Sequence, residues 1–103
     1  MKTFLLCFTI LVAWPILAAD EKHSYKPESG FVPDEKTAIA IAVAVWSPIY
    51  GKDKIQKEKP FKAIIKDGVW QVEGTFHGKG FGGVAIAEIS KADARVLRVS
   101  HGK

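Results

Sequence analysis

The stretch from Phe31 to Gly51, FVPDEKTAIAIAVAVWSPIYG, decides the fold of this chain. Pro33 and the two acids after it are typical of a helix start, because proline fits the first turn and acidic side chains favour the positive end of the helix dipole. We expect Asp34 to cap this helix, with Thr37 in its first turn. From Ala38 to Trp46 the sequence is apolar and carries no charge.

A strand is the alternative for this stretch, since the branched residues from Ile39 to Val45 alternate with alanines. Alanine is the best helix former and a poor strand former, so the alanines and the capped start favour a helix. Pro48 removes a hydrogen bond, and we expect the helix to fray over 47–50 before Gly51 ends it. A helix that is apolar on nearly every side needs cover from the rest of the chain.

Two β-prone runs, FKAIIK at 61–66 and VWQVEGT at 69–75, give the strongest local pattern. They flank Asp67-Gly68, a dipeptide typical of a type I′ hairpin. This turn pairs Lys66 with Val69 and Lys62 with Glu73, and it predicts an ion pair between the latter two. One face of the hairpin is then the natural cover for the helix; its residues are Phe61, Ala63, Ile65, Trp70 and Val72.

Two more strands are predicted over 84–90 (VAIAEIS) and 95–100 (RVLRVS), after the glycine-rich connection FHGKGFGG at 76–83. The fold class is therefore α+β, with one main helix packed on a curved antiparallel sheet of about four strands in meander order. The polar segment 20–30 predicts a flexible lead-in. The charged run KDKIQKEK at 52–59 is either a short helical turn that tucks Ile55 under the domain or a solvated connection, and its charges are interpreted as solvated.

The first 19 residues have the pattern of a secretory signal peptide, with a lysine, an apolar run and small residues before a cut between Ala19 and Asp20. Because the run is shorter than the about 20 residues that span a bilayer, we expect cleavage rather than an uncleaved anchor. The mature protein, with its domain at 31–103, would be periplasmic or secreted and would keep no stable membrane span. The single cysteine, Cys7, lies in this leader, so no disulfide or thiolate metal site is predicted.

Known catalytic patterns are missing from the mature sequence. It contains neither a nucleophile elbow nor a metal-binding histidine pair at helical spacing. Gly78, Gly80 and Gly83 match G-x-G-x-x-G in form, but a dinucleotide site needs that motif between a parallel strand and a helix. The lysines are spread along the chain, whereas nucleic-acid binding needs a basic stripe with aromatic residues. We therefore predict a protein that is not an enzyme and that binds no metal, cofactor or nucleic acid.

The glycine-rich connection presents the first set of candidate binding residues, His77, Lys79 and Phe81. Loops held by a rigid sheet commonly carry recognition, and an aromatic side chain there could anchor a partner. The alternative is that Phe81 folds back over the core and that the glycines only turn the chain.

Trp46, Tyr50 and Glu88 form a second candidate set. A short sheet leaves part of the helix uncovered toward Trp46 and Tyr50, where a ligand pocket or a second copy of the chain would fit. Glu88, embedded in a strand, is either a perturbed carboxylate that faces such a pocket or a solvent-facing residue of an alternating strand. The rarity of buried acids favours the second interpretation.

The order of several short motifs resembles the NTF2-fold immunity proteins of bacterial polymorphic toxin systems. The motifs are GFVPDE at 30–35 with TAI at 37–39, PIYG at 48–51, PF at 60–61, DGVW at 67–70, GT at 74–75, GG at 82–83, ISK at 89–91 with Asp93, and HGK at 101–103. The resemblance covers 30–103 and implies a reduced NTF2-like or cystatin-like cone. This sequence has Ala94 where the family usually has glycine, and alanine resists positive φ.

The resemblance implies a non-enzymatic domain that neutralises a cognate toxin by direct binding, and the leader adds export to this hypothesis. The surfaces expected to contact the toxin are the 77–83 loop and the exposed face of the sheet. An alternative is a small-ligand-binding NTF2-like pocket protein of the bacterial envelope, or an isomerase-like enzyme, with Tyr50 or Glu88 in the pocket. A structural protein of the envelope is a third hypothesis.

Overall fold

The computed structural model describes residues 23–80 and 82–102, so the predicted leader and its cut site lie outside the described residues. One main helix and a four-stranded antiparallel sheet in the order β1-β2-β3-β4 confirm the predicted α+β meander. The elements are α1 (Glu35–Tyr50), α2 (Lys52–Gln56), β1 (Lys62–Lys66), β2 (Val69–Glu73), β3 (Ala85–Ser90) and β4 (Val96–His101).

Helix α1 begins at the predicted cap. The Thr37 backbone N–H donates to Asp34 Oδ1 at 2.8 Å, which satisfies one of the free donors of the first turn. Hydrogen bonds from the Thr37 side chain and from its backbone hold the pKa of Asp34 below its ordinary value. The cap therefore favours the ionised carboxylate.

The predicted fraying at the end of α1 is wrong, because the helix continues through Pro48 to Tyr50. Ser47 Oγ donates to the Val43 carbonyl at 2.7 Å. The Gly51 N–H donates to the Ser47 carbonyl at 2.9 Å. These bonds hold the last turn on both sides of Pro48, and the carbonyl that proline leaves without a donor, on Ala44, belongs to an exposed residue that solvent can reach.

The β1–β2 hairpin has the predicted type I′ turn. Asp67 and Gly68 have φ values of 52° and 76°, the positive values that this turn requires. The register is also confirmed, with the pairs Lys62↔Glu73, Ala63↔Val72, Ile65↔Trp70 and Lys66↔Val69.

We call the sheet face that α1 covers the inner face. Helix α1 contributes a buried stripe of residues four apart, Ala38, Ala42 and Trp46, and the small alanines let the backbones approach closely. The inner face contributes Ala63, Trp70, Val72, Ala85, Ala87 and Ile89, all buried.

Two residues predicted for this face are less covered than expected. Ile65 is 41% exposed, because β1 is an edge strand and α1 does not reach beyond it. Phe61 is half-buried and packs on Trp46, with ring centroids 5.8 Å apart.

The lead-in predicted over 20–30 is anchored at its C-terminal end. Gly30 is buried with a φ of 92°, and the backbone of Lys91 leaves no room for a Cβ atom there. The Phe31 and Val32 N–H groups donate to the Ala92 and Lys91 carbonyls at 3.1 and 3.0 Å. The carbonyl of Val32 in turn accepts a 2.8 Å bond from Trp70 Nε1. These bonds fasten the start of the domain to the β3–β4 turn.

That turn contains an alanine in the left-handed conformation, since Ala94 has a φ of 66°. Its N–H donates to the Ser90 carbonyl at 2.9 Å. Asp93 Oδ1 accepts the Arg95 N–H at 3.0 Å. This bond, followed by one with the Ser90 side chain, lowers the pKa of Asp93. The turn thus keeps a glycine-type geometry although it lacks the glycine.

Candidate partner-binding surface

The outer face of the sheet, opposite α1, has no helix over it in the described chain. Ile64 is 59% exposed on β1, while Gln71 is exposed and Val69 half-buried on β2. These residues and Glu88 line a shallow depression of about 410 Å³. The surface mixes aliphatic and charged side chains, a composition that suits a protein partner.

Glu88 lies on this outer face and pairs with Arg98. Their charged groups are 3.1 Å apart, and the side chains are 30% and 50% exposed for Glu88 and Arg98. Alternation along β3 therefore turns Glu88 away from the core, as burial frequencies favoured.

The predicted ion pair between Lys62 and Glu73 is wrong. The two residues are cross-strand neighbours. Yet the ion pairs of the described residues are Glu88–Arg98 and Glu58–His101 alone. The ammonium group of Lys62 is left without an acidic side chain in contact distance within that part of the protein.

The glycine-rich loop, residues 74–84, closes one end of the outer face. The Phe76 ring lies against Gly78 and Gly82, where a Cβ atom would collide with it. Because glycine occupies both positions, the Phe76 ring can lie along the loop. The Phe76 side chain remains 42% exposed. A groove of about 430 Å³ runs from this ring along the ends of β2 and β3.

The first predicted set, His77, Lys79 and Phe81, belongs to this loop. His77 and Lys79 are exposed, and a ring nitrogen of His77 lies 2.5 Å from the Lys59 carbonyl oxygen. Phe81 lies outside the described residues. A binding role for the set stays a prediction, and Phe76 is the aromatic side chain that the structure places on the loop.

A buried carboxylate, Glu58, fixes the stems of this loop and was missed by the sequence patterns. Glu58 is 8% exposed, although the run 52–59 was interpreted as solvated. Its Oε1 accepts the Ala85 N–H at 2.8 Å, and its Oε2 lies 2.7 Å from His101 Nε2. Its backbone carbonyl accepts the Thr75 N–H at 2.7 Å. One residue thus holds both the entry and the exit of the loop.

His101, the partner of Glu58, is a strand residue at the end of β4. Its side chain is 14% exposed, and its ring lies against Tyr50 with centroids 5.1 Å apart. The loop, the end of α1 and the end of β4 therefore meet at this carboxylate. No local motif could have predicted the contact, because Glu58 and His101 are 43 residues apart.

The second predicted set is not brought together. Trp46 is fully buried, and its Nε1 donates to the Ile86 carbonyl at 3.2 Å. Tyr50 is half-buried against His101, whereas Glu88 faces the opposite side of the sheet. A common pocket for these three residues is therefore not formed. A second-copy contact near Tyr50 stays a prediction, with Ile49, 57% exposed, as the apolar side chain there.

Neither a metal-binding cluster nor a membrane-spanning helix occurs among residues 23–80 and 82–102. No cluster of three histidine, cysteine, aspartate or glutamate side chains that could hold a metal ion occurs among them. Their helices are also too short or too polar to cross a bilayer.

The geometry can be set beside known proteins. The model of a family described as NTF2 fold immunity protein matches residues 37–103. An uncharacterized protein of Escherichia coli strain K12, YhhH, is 38% identical over 73 residues, which cover 70% of this chain and 58% of YhhH. The chain thus spans less than two thirds of the length of that relative. No solved structure matches the chain significantly. With most of the domain covered by one family model, the chain belongs to the NTF2-fold immunity protein family.

Proposed function

We propose that this protein is an exported binding domain that neutralises a cognate toxin by direct contact. Membership of an immunity protein family supports a toxin as the partner. The observation that carries the proposal is the outer face, an uncovered sheet surface of mixed aliphatic and charged side chains beside a loop held by a buried carboxylate. A rigid surface of this kind binds with little loss of conformational entropy.

The arrangement of the ionisable side chains favours binding over catalysis. Glu58 and His101 resemble an acid–base pair, but both carboxylate oxygens are engaged, one by the Ala85 N–H and the other by His101. The two side chains are only 11% and 14% exposed. A catalytic base must reach a proton on its substrate, and this pair instead connects parts of the fold.

Export is the second part of the proposal. The apolar leader pattern over 1–19, with small residues before Asp20, supports transport across the inner membrane. The protein would then meet its toxin in the periplasm or outside the cell. Signal-peptide cleavage can be checked by mass spectrometry of the protein recovered from the periplasm, where a chain that begins at Asp20 is expected.

Co-expression with the toxin encoded beside this gene tests the function. We expect growth to be restored and the two proteins to purify as a complex. If the wild-type protein neither restores growth nor forms a complex with the toxin, the proposal is wrong. The toxin alone, and the toxin with an unrelated exported protein, are the controls for growth.

A pair of matched variants tests the surface. Ile64 on the outer face and Ile49 on α1 are 59% and 57% exposed, so a glutamate at either position disturbs folding to a similar small extent. We expect Ile64→Glu to weaken the complex at least about tenfold, as for a central interface residue, and Ile49→Glu to leave it unchanged. The opposite pattern would place the toxin on the helix side.

A further inference from the structure

Lysines occur along the whole chain, but the excess of basic over acidic side chains is concentrated in the stretch 52–67, which includes α2 and β1. This stretch has six lysines and three acids, and so supplies +3 of the +4 formal charge of the chain. One of the acids, Glu58, is buried and paired with His101. Within this stretch, six exposed lysines are then balanced by only two other acids, Asp53 and Asp67, and outside it Glu73 lies across the strand pair from Lys62. The lysines are Lys52, Lys54, Lys57, Lys59, Lys62 and Lys66.

The same stretch ends in a free sheet edge. Among the described residues, strand β1 pairs with β2 alone, and the type I′ turn makes Lys66 and Val69 a hydrogen-bonded pair. Hydrogen-bonded and non-hydrogen-bonded pairs alternate along an antiparallel ladder. The backbone N–H and C=O groups of Ala63 and Ile65 therefore point away from β2, toward the open edge. Such a row of groups is a template for another extended strand.

The other edge strand, β4, is less suited to this role. Its pairing with β3 has a register shift at Glu88/Ile89, and irregularities of this kind bend an edge away from a partner strand. Arg98 on β4 is already engaged by Glu88. By contrast, β1 pairs with β2 residue by residue without a shift.

A second copy of this chain is disfavoured at the edge of β1 when the two strands pair around Ile64. This antiparallel register would set Lys62 directly opposite Lys66 in both halves of the ladder. Like charges in facing positions destabilise a strand pair. The lysines thus favour a strand that carries acidic residues over a second copy in this register.

We infer that β1 receives an extended acidic segment of the toxin as a fifth strand, with the main-chain groups of Ala63 and Ile65 as its hydrogen-bonding partners. The lysines of 52–67 attract the segment and set its charge preference, since complementary charge steers association and rejects wrong partners. This inference rests on the proposed function for the identity of the partner. The preference of the β1 edge for an acidic strand does not depend on whether the partner is a toxin.

Two short peptides test the edge without a toxin: one alternates valine with glutamate, and the other valine with lysine. We expect the glutamate peptide to bind at least about tenfold more tightly in an NMR titration at low salt, and to lose this advantage at high salt. The amide signals of Ala63 and Ile65 should shift and gain protection from exchange. Equal binding of the two peptides, or shifts confined to β4, would overturn the inference.

Variants in the toxin assay separate this inference from the proposed function. Lys62→Glu with Lys66→Glu should weaken the toxin complex at least about tenfold, while Lys36→Glu on α1 should not. Ile65→Pro, which removes an outward N–H from an edge strand, should act like the double variant, provided that its circular dichroism is native. If the wild type and the double variant both protect fully against the toxin, the inference about β1 is wrong while the proposed function stands. A dimer formed through β1 would likewise contradict the inference.

Discussion

The inner and outer faces of the sheet are formed by the same alternating strands, but the inner face is buried and the outer face is exposed. The six inner-face residues from Ala63 to Ile89 are buried under α1, whereas Ile64 and Gln71 on the outer face are exposed. Both faces contain aliphatic side chains, so hydrophobicity alone does not distinguish them. What distinguishes them is that the chain supplies a helix for one face and, within its described part, nothing for the other. This uncovered face is the surface on which the proposed binding function rests.

The largest effect is expected from Trp46→Ala, which removes the largest side chain that α1 buries over the inner face. We expect the free energy of unfolding to fall by about 3–5 kcal/mol, because the substitution leaves a large cavity under a fully buried indole. Urea unfolding followed by circular dichroism measures it. The matched outer-face variant, Ile64→Ala, should cost no more than about 0.5 kcal/mol. Similar losses from the two would show that both faces are packed.

Glu58→Ala should have the next largest effect. It leaves the buried Ala85 N–H without its acceptor and should lower the free energy of unfolding by about 2–3 kcal/mol. The amides of Thr75 and Ala85 should also exchange faster, since the stems of the glycine-rich loop lose their common support. Glu88→Ala is the outer-face counterpart, and its exposed ion pair should be worth less than about 1 kcal/mol. Unchanged exchange at both amides would contradict the role given to Glu58.

Ala94→Gly should stabilise the protein by about 1 kcal/mol, a smaller effect of opposite sign. The native φ of 66° strains an alanine, and glycine removes this strain at some entropic cost in the unfolded state. The turn joins β3 to β4 and so keeps their residues on the correct faces. Thermal unfolding measures the gain. Ala92→Gly in the same turn, where φ is not positive, should lower the stability instead, and a gain from both variants would exclude relief of strain as the cause.

The smallest expected effect is a change in how the stability of the protein depends on pH. The pKa of Asp34 is lower in the folded protein than in the unfolded chain, so the ionised cap stabilises α1 above about pH 4. This contribution is lost as the pH falls through the lowered pKa, because the folded protein must then take up a proton. Asparagine caps a helix without ionising. Asp34→Asn should therefore flatten the fall of Tm below about pH 4, and an identical pH profile would contradict this assignment.

The parts of the fold that sequence could predict are those fixed by neighbouring residues. The cap at Asp34 and the turn at Asp67-Gly68 each depend on a few consecutive side chains, and the hairpin register followed from its turn. Family resemblance rested on the order of such local motifs, and the family match confirms it.

The errors have different physical causes, one local and two that depend on residues far apart in the chain. The helix was expected to fray over 47–50 because of Pro48, but hydrogen bonds of Ser47 and Gly51 hold the last turn around it. Glu58 sits among lysines in the sequence, and its buried position depends on His101 and Ala85, which follow far along the chain. The candidate pocket failed because Trp46 and Glu88 belong to opposite faces of the sheet.

The anchoring of Gly30 determines how this domain is oriented when it is tethered to a surface or fused to another protein. Gly30 lies against the β3–β4 turn, beside the β1–β2 turn, where Lys91 donates its N–H to the Gly68 carbonyl. The glycine-rich loop occupies the other end of the strands, and Gly102 is bonded next to it through Val84. A label or surface tether upstream of Gly30 would therefore project the loop outward, whereas a fusion downstream of Gly102 would emerge beside it. Binding assays with the two orientations should differ for this geometric reason alone.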